Sequence, residues 1–440
     1  MGQKLDLTQG NILKGFFFFV VPLFLGSLFQ LLYGTVDLLF VGNILGKSDA
    51  AAVGASSILV TCLIGLLTGV SVGAGVILAQ LWGAKKWKEA DLCIENALIL
   101  GIAGGFLLTG LGLGGSETAL RMLHTPENIL PHALLYIRVY LFSVPAMILY
   151  NMCAGLLRAM GDSKTPCVVL ASGGILNVGM DAVFIAVLKW GVAGAASATM
   201  ISQSFTAVFL MIQVFRQNQL LKKRWSLDRN ILLRILYVGV PLGLQSMILT
   251  LSNLFVQYCI NGFGENAIAA FTIYFKVENL IYLPVMAFGQ GMVTFTGQNI
   301  GAGNKERIQK GAVICNVFAA AVTFVISMVI LLFGVQILGL FCAESEVVAE
   351  GLKIIRITFP FYFLYAILEV TGGIVRGYKK TLQSMVLVIV NLCIIRVILL
   401  NILTAKFHAI YAVAAVYPVT WALAAGSFLI YYRRIQRKLR

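Results

Sequence analysis

Apolar positions in this chain fall neither in the alternation of a half-buried strand nor in the narrow stripe of a soluble helix. They form long unbroken runs separated by Gly, Asn, Asp and charge clusters. Windows of about twenty or more such residues, the length that spans a bilayer as a helix, can be placed twelve times. The spans run over 15–41, 50–80, 90–114, 132–157, 166–188, 191–215, 231–261, 267–298, 309–338, 351–375, 382–404 and 409–432. A transmembrane barrel would alternate instead, so the pattern predicts an all-α integral membrane protein of twelve transmembrane helices. Several runs exceed what a bilayer needs, which predicts tilt or helices that project past the headgroups.

Composition agrees. Of 440 residues 59% are apolar and 12% charged, and the mean hydropathy is +0.91, which excludes a water-soluble domain. The net charge of +15 would suggest a nucleic-acid partner in a soluble protein, but its placement decides otherwise. Of 33 Lys and Arg, 24 lie at the two termini and in every second connection, whereas the alternate connections carry Lys47, Arg121, Lys189 and Lys406. That asymmetry is the positive-inside bias, and it places both termini in the cytoplasm of a multi-pass plasma-membrane protein. The eight cysteines are scattered, with no CxxC pair, and are expected to act as small hydrophobes. No small-residue cleavage site closes the first run, so span one is expected to be retained.

The two halves of the chain resemble each other. NILKGFFFFVVPLFLGSL at 11–28 aligns with NILLRILYVGVPLGLQSM at 230–247, and AQLWGAKKWKE at 79–89 with GQNIGAGNKER at 297–307. Pro22 pairs with Pro241, Gln80 with Gln298, Pro145 with Pro360 and Arg158 with Arg376. This predicts an N-terminal lobe over 1–215, a basic linker over 216–229 and a C-terminal lobe over 230–440. Six spans per half return the chain to its starting side, so the lobes are parallel repeats about a pseudo-twofold axis along the membrane normal. Two such lobes suit a carrier. Prolines inside spans, at 22, 145, 241, 284, 360 and 418, permit bends, and glycine runs such as GVSVGAG at 69–75 and GIAGG at 101–105 point to close helix packing.

Four acids lie well inside the apolar spans: Asp37, Asp181, Glu278 and Glu369. A carboxylate in a spanning helix costs about 2.5–3.5 kcal/mol on insertion scales and calls for a partner, a proton or a function. Asp37 shares a helical stripe with Gln30, Tyr33 and Gly34. Asp181 lies one turn after Asn177, and Thr199 one turn before Gln203; Asn151 is a further amide inside a span. Through the repeat, Asp37 falls opposite Phe255 or Val256 and Asp181 opposite Ile395, so this acidic pair belongs to the first half alone. Two carboxylates suit the binding and release of a proton or a small cation. In the second half Glu278 shares a face with Tyr274 and Tyr282, and Glu369 follows Tyr362 and Tyr365. Acid plus aromatic faces suits an organic cation. The same acids would equally serve in ion pairs with Lys276, Arg356 or Arg396.

YGTVDLLFVGNILG at 33–46, AQLWGAKK at 79–86, CAGLLRAMGDSKTP at 153–166, LNVGMDAVF at 176–184 and GVAGAASATMISQ at 191–203 together resemble the multidrug and toxic compound extrusion (MATE) transporters of bacterial type. The resemblance covers nearly the whole chain and its two-lobed plan. It implies export of organic, often cationic, compounds driven by inward movement of protons or sodium ions, with no other cofactor and no enzymatic activity. It also implies a cation-coupling site, and a possible sodium site, at Asp37, Asn177, Asp181 and Thr199. Gln30, Tyr33 and Asn151 would line the substrate cavity, together with Glu278, Tyr282, Tyr365 and Glu369 from the residue reading. Some members bind the ion through second-lobe acids, but span seven here has none. The expected partners are small organic substrates, the coupling cation and the bilayer, with the chain a monomer. A lipid-linked oligosaccharide flippase shares this architecture, but would carry more Arg and Lys in its spans. A membrane transferase would need a catalytic loop dense in Asp, His or Arg, and a channel would need symmetry around a pore.

Overall fold

The computed structural model describes residues 5–122, 125–218, 225–407 and 409–439. Residues 219–224 of the expected linker 216–229, and the histidines at 124 and 408, lie outside the described residues. Among those described, every regular element is helical. The first half contains α1 (Ile12–Phe40), α2 (Lys47–Gly83), α3 (Trp87–Met122), α4 (Leu130–Leu141), α5 (Val144–Ala159), α6 (Lys164–Asp181) and α7 (Val192–Asn218). The second contains α8 (Arg229–Asn261), α9 (Glu265–Gly301), α10 (Lys305–Leu332), the short α11 (Gly334–Gly339), α12 (Ser345–Thr358), α13 (Tyr362–Gly377), α14 (Thr381–Ile389), α15 (Ile395–Phe407) and α16 (Ile410–Leu439). Eleven segments are long and apolar enough to cross a membrane singly; α4 and α5, bent by 45° at a short break, together make a twelfth.

That bend has a local cause. Pro145 occupies the first turn of α5, where its missing N–H and fixed φ favour a new helix start. The matching Pro360 sits in a 3-10 turn, Phe359–Phe361, between α12 and α13. By contrast Pro22, Pro241, Pro284 and Pro418 lie inside continuous helices. The repeat also shows in the backbone: Gly46 and Gly264 both take positive φ, 97° and 91°, at the turns into α2 and α9.

Three spans contain π-helical turns, Val41–Leu45 after α1, Ala182–Val187 after α6 and Val390–Ile394 between α14 and α15. Such turns insert one residue into the helix and collect at functional sites.

The helices form two compact units. Of the described residues, the first holds 5–6, 21–122, 125–218 and 225–244, the second 7–20, 245–407 and 409–439. In the first, α5 packs against α2, α3 and α7; in the second, α13 packs against α9, α10 and α16. This division crosses the sequence halves twice. Residues 7–20 build into the second unit, where the Leu7 N–H donates to Gln298 Oε1 (3.3 Å) and the Arg307 guanidinium donates to the carbonyls of Leu7, Gln9 and Gly10 (3.1, 2.7 and 2.8 Å). Residues 225–244 build into the first. The Ser226 N–H donates to Glu95 Oε2 and the Asp228 N–H to Asn96 Oδ1, both at 3.0 Å. Beyond them α8 crosses α2 through Gly69 and Gly73 on one side and Gly239 and Gly243 on the other, so close that a Cβ at Gly73 would lie 2.6 Å from Gly239 Cα.

Candidate functional site

In the first unit, α1 presents Tyr33 and Asp37 one turn apart, α6 presents Asn177 and Asp181 one turn apart, and α7 presents Thr199, Ser202 and Gln203. Asp181 directly precedes the Ala182–Val187 π turn and Asp37 lies about one turn before the Val41–Leu45 one, and the two π turns pack against each other. Tyr33 stands between α6 and α7. Its ring lies against Gly174, and its hydroxyl is 3.1 Å from Ser202 Oγ. Asp37 and Asp181 lie near enough to act on each other electrostatically. Just beyond the acids, Val41, Ile185, Val192, Ala195 and Ala196 join Tyr136 in an apolar cluster.

Asn177 and Asp181 are fully buried, and Thr199 and Asp37 nearly so. Six of their polar atoms, Asp37 Oδ1, both terminal atoms of Asn177, both carboxylate oxygens of Asp181 and Thr199 Oγ1, are buried without a hydrogen-bond partner. A buried polar atom left unsatisfied costs about 1–3 kcal/mol, and more if charged. Six together on three helices therefore favour whatever would satisfy them. A proton on one acid converts an acceptor into a donor; a small hard cation takes oxygen ligands of this kind. Among the described residues no group of three or more His, Cys, Asp and Glu gathers, so the donor set does not suit a transition metal. Of the expected cavity residues in this unit, Gln30 is exposed, and the Asn151 amide donates to Met147 O of its own helix (2.9 Å).

The second unit gathers Glu278, Tyr282 and Tyr365 into one aromatic cluster. Tyr362 donates its hydroxyl to Glu278 Oε1 (3.1 Å), the rings of Tyr282 and Tyr365 stack at 6.0 Å, and Trp421 lies against Tyr362, Tyr365 and Tyr417. Glu369 is placed differently. It forms a buried ion pair with Arg376 two turns later on α13, at 2.9 Å, while Lys276 lies over the Phe341 ring. Two residues were missed by sequence reasoning: Arg376, visible at i+7 from Glu369, and Glu95, which is fully buried and stands with Asn96 near the start of an apolar span. Arg396, named only as one possible partner of the acids, is nearly buried inside another span.

The MatE family model matches this chain twice, at residues 22–183 and 241–402. The second match begins and ends 219 residues after the first, since 241 minus 22 and 402 minus 183 are both 219. The chain belongs to the MATE family of efflux transporters. It is therefore a multi-pass membrane transporter and not an enzyme. A MATE relative, the probable multidrug resistance protein YpnP of Bacillus subtilis, is 31% identical over 396 residues, 89% of this chain and 88% of its own. A solved multidrug resistance MATE transporter of the MOP superfamily, in an outward-facing conformation, is 25% identical with a TM-score of 0.92, covering 99% of this chain and 98% of its own. A MOP superfamily transporter from Pyrococcus furiosus, whose binding pocket is described as of reverse polarity suggesting a different function, is also 25% identical, with a TM-score of 0.90 over 100% and 99%. Pocket polarity thus differs between proteins of this fold, and the substrate of a MATE protein must be argued from its own side chains.

Proposed function

We propose that this transporter exports small organic, often cationic, compounds across the plasma membrane by alternating access. A proton or sodium ion moving inward through the site of Asp37, Asn177, Asp181 and Thr199 drives the export. The observation that carries this reading is the convergence of six unpartnered buried polar atoms on three helices of one unit. A set so costly to bury unpartnered, five of whose six atoms are oxygens that a proton or cation can use, is suited to bind and release it once per cycle. The one-sided placement of Asp37 and Asp181 supports a functional role, because acids needed for the lobe fold would recur in the second half. Exported compounds would meet the acidic and aromatic side chains around Glu278, Tyr282 and Tyr365, by charge and cation–π attraction.

The test is efflux of a fluorescent organic cation from proteoliposomes under imposed proton and sodium gradients, applied separately, for wild type and Asp37→Asn. Export driven by one gradient and lost in Asp37→Asn, with insertion and melting unchanged, is the expected result, and the responding gradient identifies the ion. Equal export by Asp37→Asn would move coupling elsewhere. No export by wild type under either gradient would favour the lipid-linked oligosaccharide flippase.

A further inference from the structure

In the register that pairs Arg158 with Arg376, the two halves of the chain make the same backbone turn after α5 and after α13. The Asp162 N–H donates to Leu157 O (2.9 Å) and the Lys380 N–H to Val375 O (3.2 Å); the Gly161 N–H donates to Arg158 O and the Lys379 N–H to Arg376 O, both at 2.9 Å. Gly161 and Lys379 both take positive φ, 91° and 59°. On this shared backbone the side chains differ in sign. In the first unit the buried Asp162 carboxylate serves the start of α6: Oδ1 accepts from the Thr165 N–H (2.9 Å) and Oδ2 from the Thr165 hydroxyl (2.7 Å). An anion there also complements the positive end of the helix dipole. In the second unit the matching residue is Lys380, a cation at the start of α14, and no side chain caps that helix. Thr381 and Ser384, among its first four residues, are buried, and the hydroxyl of each has no hydrogen-bond partner.

Further cations gather at the same end of the second unit. The span of α14 and α15 is followed by α16 running back, and the Asn391 amide donates to Ser427 Oγ (3.4 Å). Ten residues back along α14 from that contact is Thr381, and ten residues on along α16 is Arg437, so the start of α14 is level with the basic end of α16. There Tyr432 and Ile435 are buried, whereas Arg433, Arg434, Arg437 and Lys438 are exposed. No Asp or Glu follows Glu369 in the chain, so these cations have no counter-charge on their own helices. Lys380 and Leu382 are exposed, which leaves the helix start open, and from Leu382 an exposed apolar stripe of Val386, Val390 and Ile394 continues along the span. We propose that the start of α14, with Lys380 and Arg437, binds the phosphate of an anionic phospholipid whose acyl chains lie along that stripe. The phosphate does for α14 what the Asp162 carboxylate does for α6, offering an acceptor to the first N–H groups and to the Thr381 hydroxyl. The stripe favours a lipid over free phosphate, and the cations favour a head of net negative charge over a zwitterionic one. The positive-inside distribution puts this end at the cytoplasmic leaflet, where anionic headgroups lie.

The experiment is native mass spectrometry of the purified full-length protein equilibrated with equal amounts of phosphatidylglycerol and phosphatidylcholine, with thermal melting in detergent as a second readout. Wild type is expected to retain phosphatidylglycerol over phosphatidylcholine by about fivefold or more, the effect of one basic residue at a membrane surface. Lys380→Asp rebuilds the arrangement of Asp162, so it is expected to melt no lower than wild type without lipid and to lose the preference. Lys380→Gln, which introduces no new charge, is expected to reduce the preference in the same direction. Lys14→Asp makes the same charge change at an exposed position outside the site and is expected to keep it. Equal retention of the two lipids by wild type, a preference unchanged in Lys380→Gln, or one lost to the same degree in Lys14→Asp would overturn the inference. So would inorganic phosphate that raises the wild-type melting temperature as much as phosphatidylglycerol does, because the ligand would then be a soluble phosphate.

Discussion

At the scale of single residues, acids of one chemical type meet opposite fates. Asp181 is buried with neither oxygen partnered, whereas Glu369 is buried and paired with Arg376 at 2.9 Å. Their carboxylate-to-amide variants should therefore separate. Asp181→Asn removes a charge that nothing in the fold compensates, so the protein should melt no lower than wild type in detergent and yet lose ion-driven efflux. Glu369→Gln leaves the Arg376 guanidinium buried without its counter-charge, a loss of about 3–5 kcal/mol for buried pairs, and should lower both the melting temperature and the folded yield. A fluorescence-detected thermal melt of the two variants side by side checks the contrast. Should Asp181→Asn melt well below wild type, the first-unit acids would be structural after all. The four acids stood out in the sequence because each interrupts a long apolar run, but their partners did not. Glu369 could have met Lys276, Arg356 or Arg396, and only packing selected Arg376, which was within reach on its own helix.

At the scale of elements, the apolar runs located the twelve spans because bilayer thickness fixes their length and polar breaks fix their ends. What the runs concealed are breaks without a compositional mark. A π turn adds one residue using the same Val, Ile, Leu and Phe as its neighbours, and so Val41–Leu45, Ala182–Val187 and Val390–Ile394 look like ordinary span. Glycine runs were more informative. GVSVG at 69–73 meets GVPLG at 239–243 where α2 and α8 touch backbone to backbone. A methyl at Gly73 would lie 2.6 Å from Gly239 Cα and 3.0 Å from Ile235 O, and no rotamer can relieve contact with main chain. Gly73→Ala should therefore part the two helices and cost about 1–3 kcal/mol, as overpacking does. Gly114→Ala meets nothing within 4 Å and should be tolerated. Size-exclusion profiles and melts of both variants decide it. Equal behaviour would mean that α2 and α8 do not approach as closely as the structure shows.

At the scale of the whole molecule, the internal repeat described a chain of two halves, but packing divides it elsewhere. The repeat compares sequence with sequence and carries no information about which unit receives each part of a helix. The first unit takes 225–244 from beyond the linker, and the second takes 7–20 from the start of the chain. Each insertion is secured by specific bonds: Glu95 and Asn96 hold the main chain of Ser226 and Asp228, and Arg307 holds the carbonyls of Leu7, Gln9 and Gly10. A consequence follows for a chain cut between residues 218 and 225. The fragment 1–218 would lack the α8 turns that fill the glycine face of α2, and would leave the buried Glu95 carboxylate without the Ser226 N–H. The fragment 225–440 would lack Phe16 and Val20, whose side chains pack on Gly291, and the main chain that Arg307 binds. Neither fragment expressed alone should accumulate in the membrane, and co-expression should restore both folded protein and efflux. Immunoblots of the two tagged fragments, alone and together, give the result directly. If 1–218 alone accumulates as a monodisperse species, the first unit is complete without α8, and the exchange of segments contributes little to its stability.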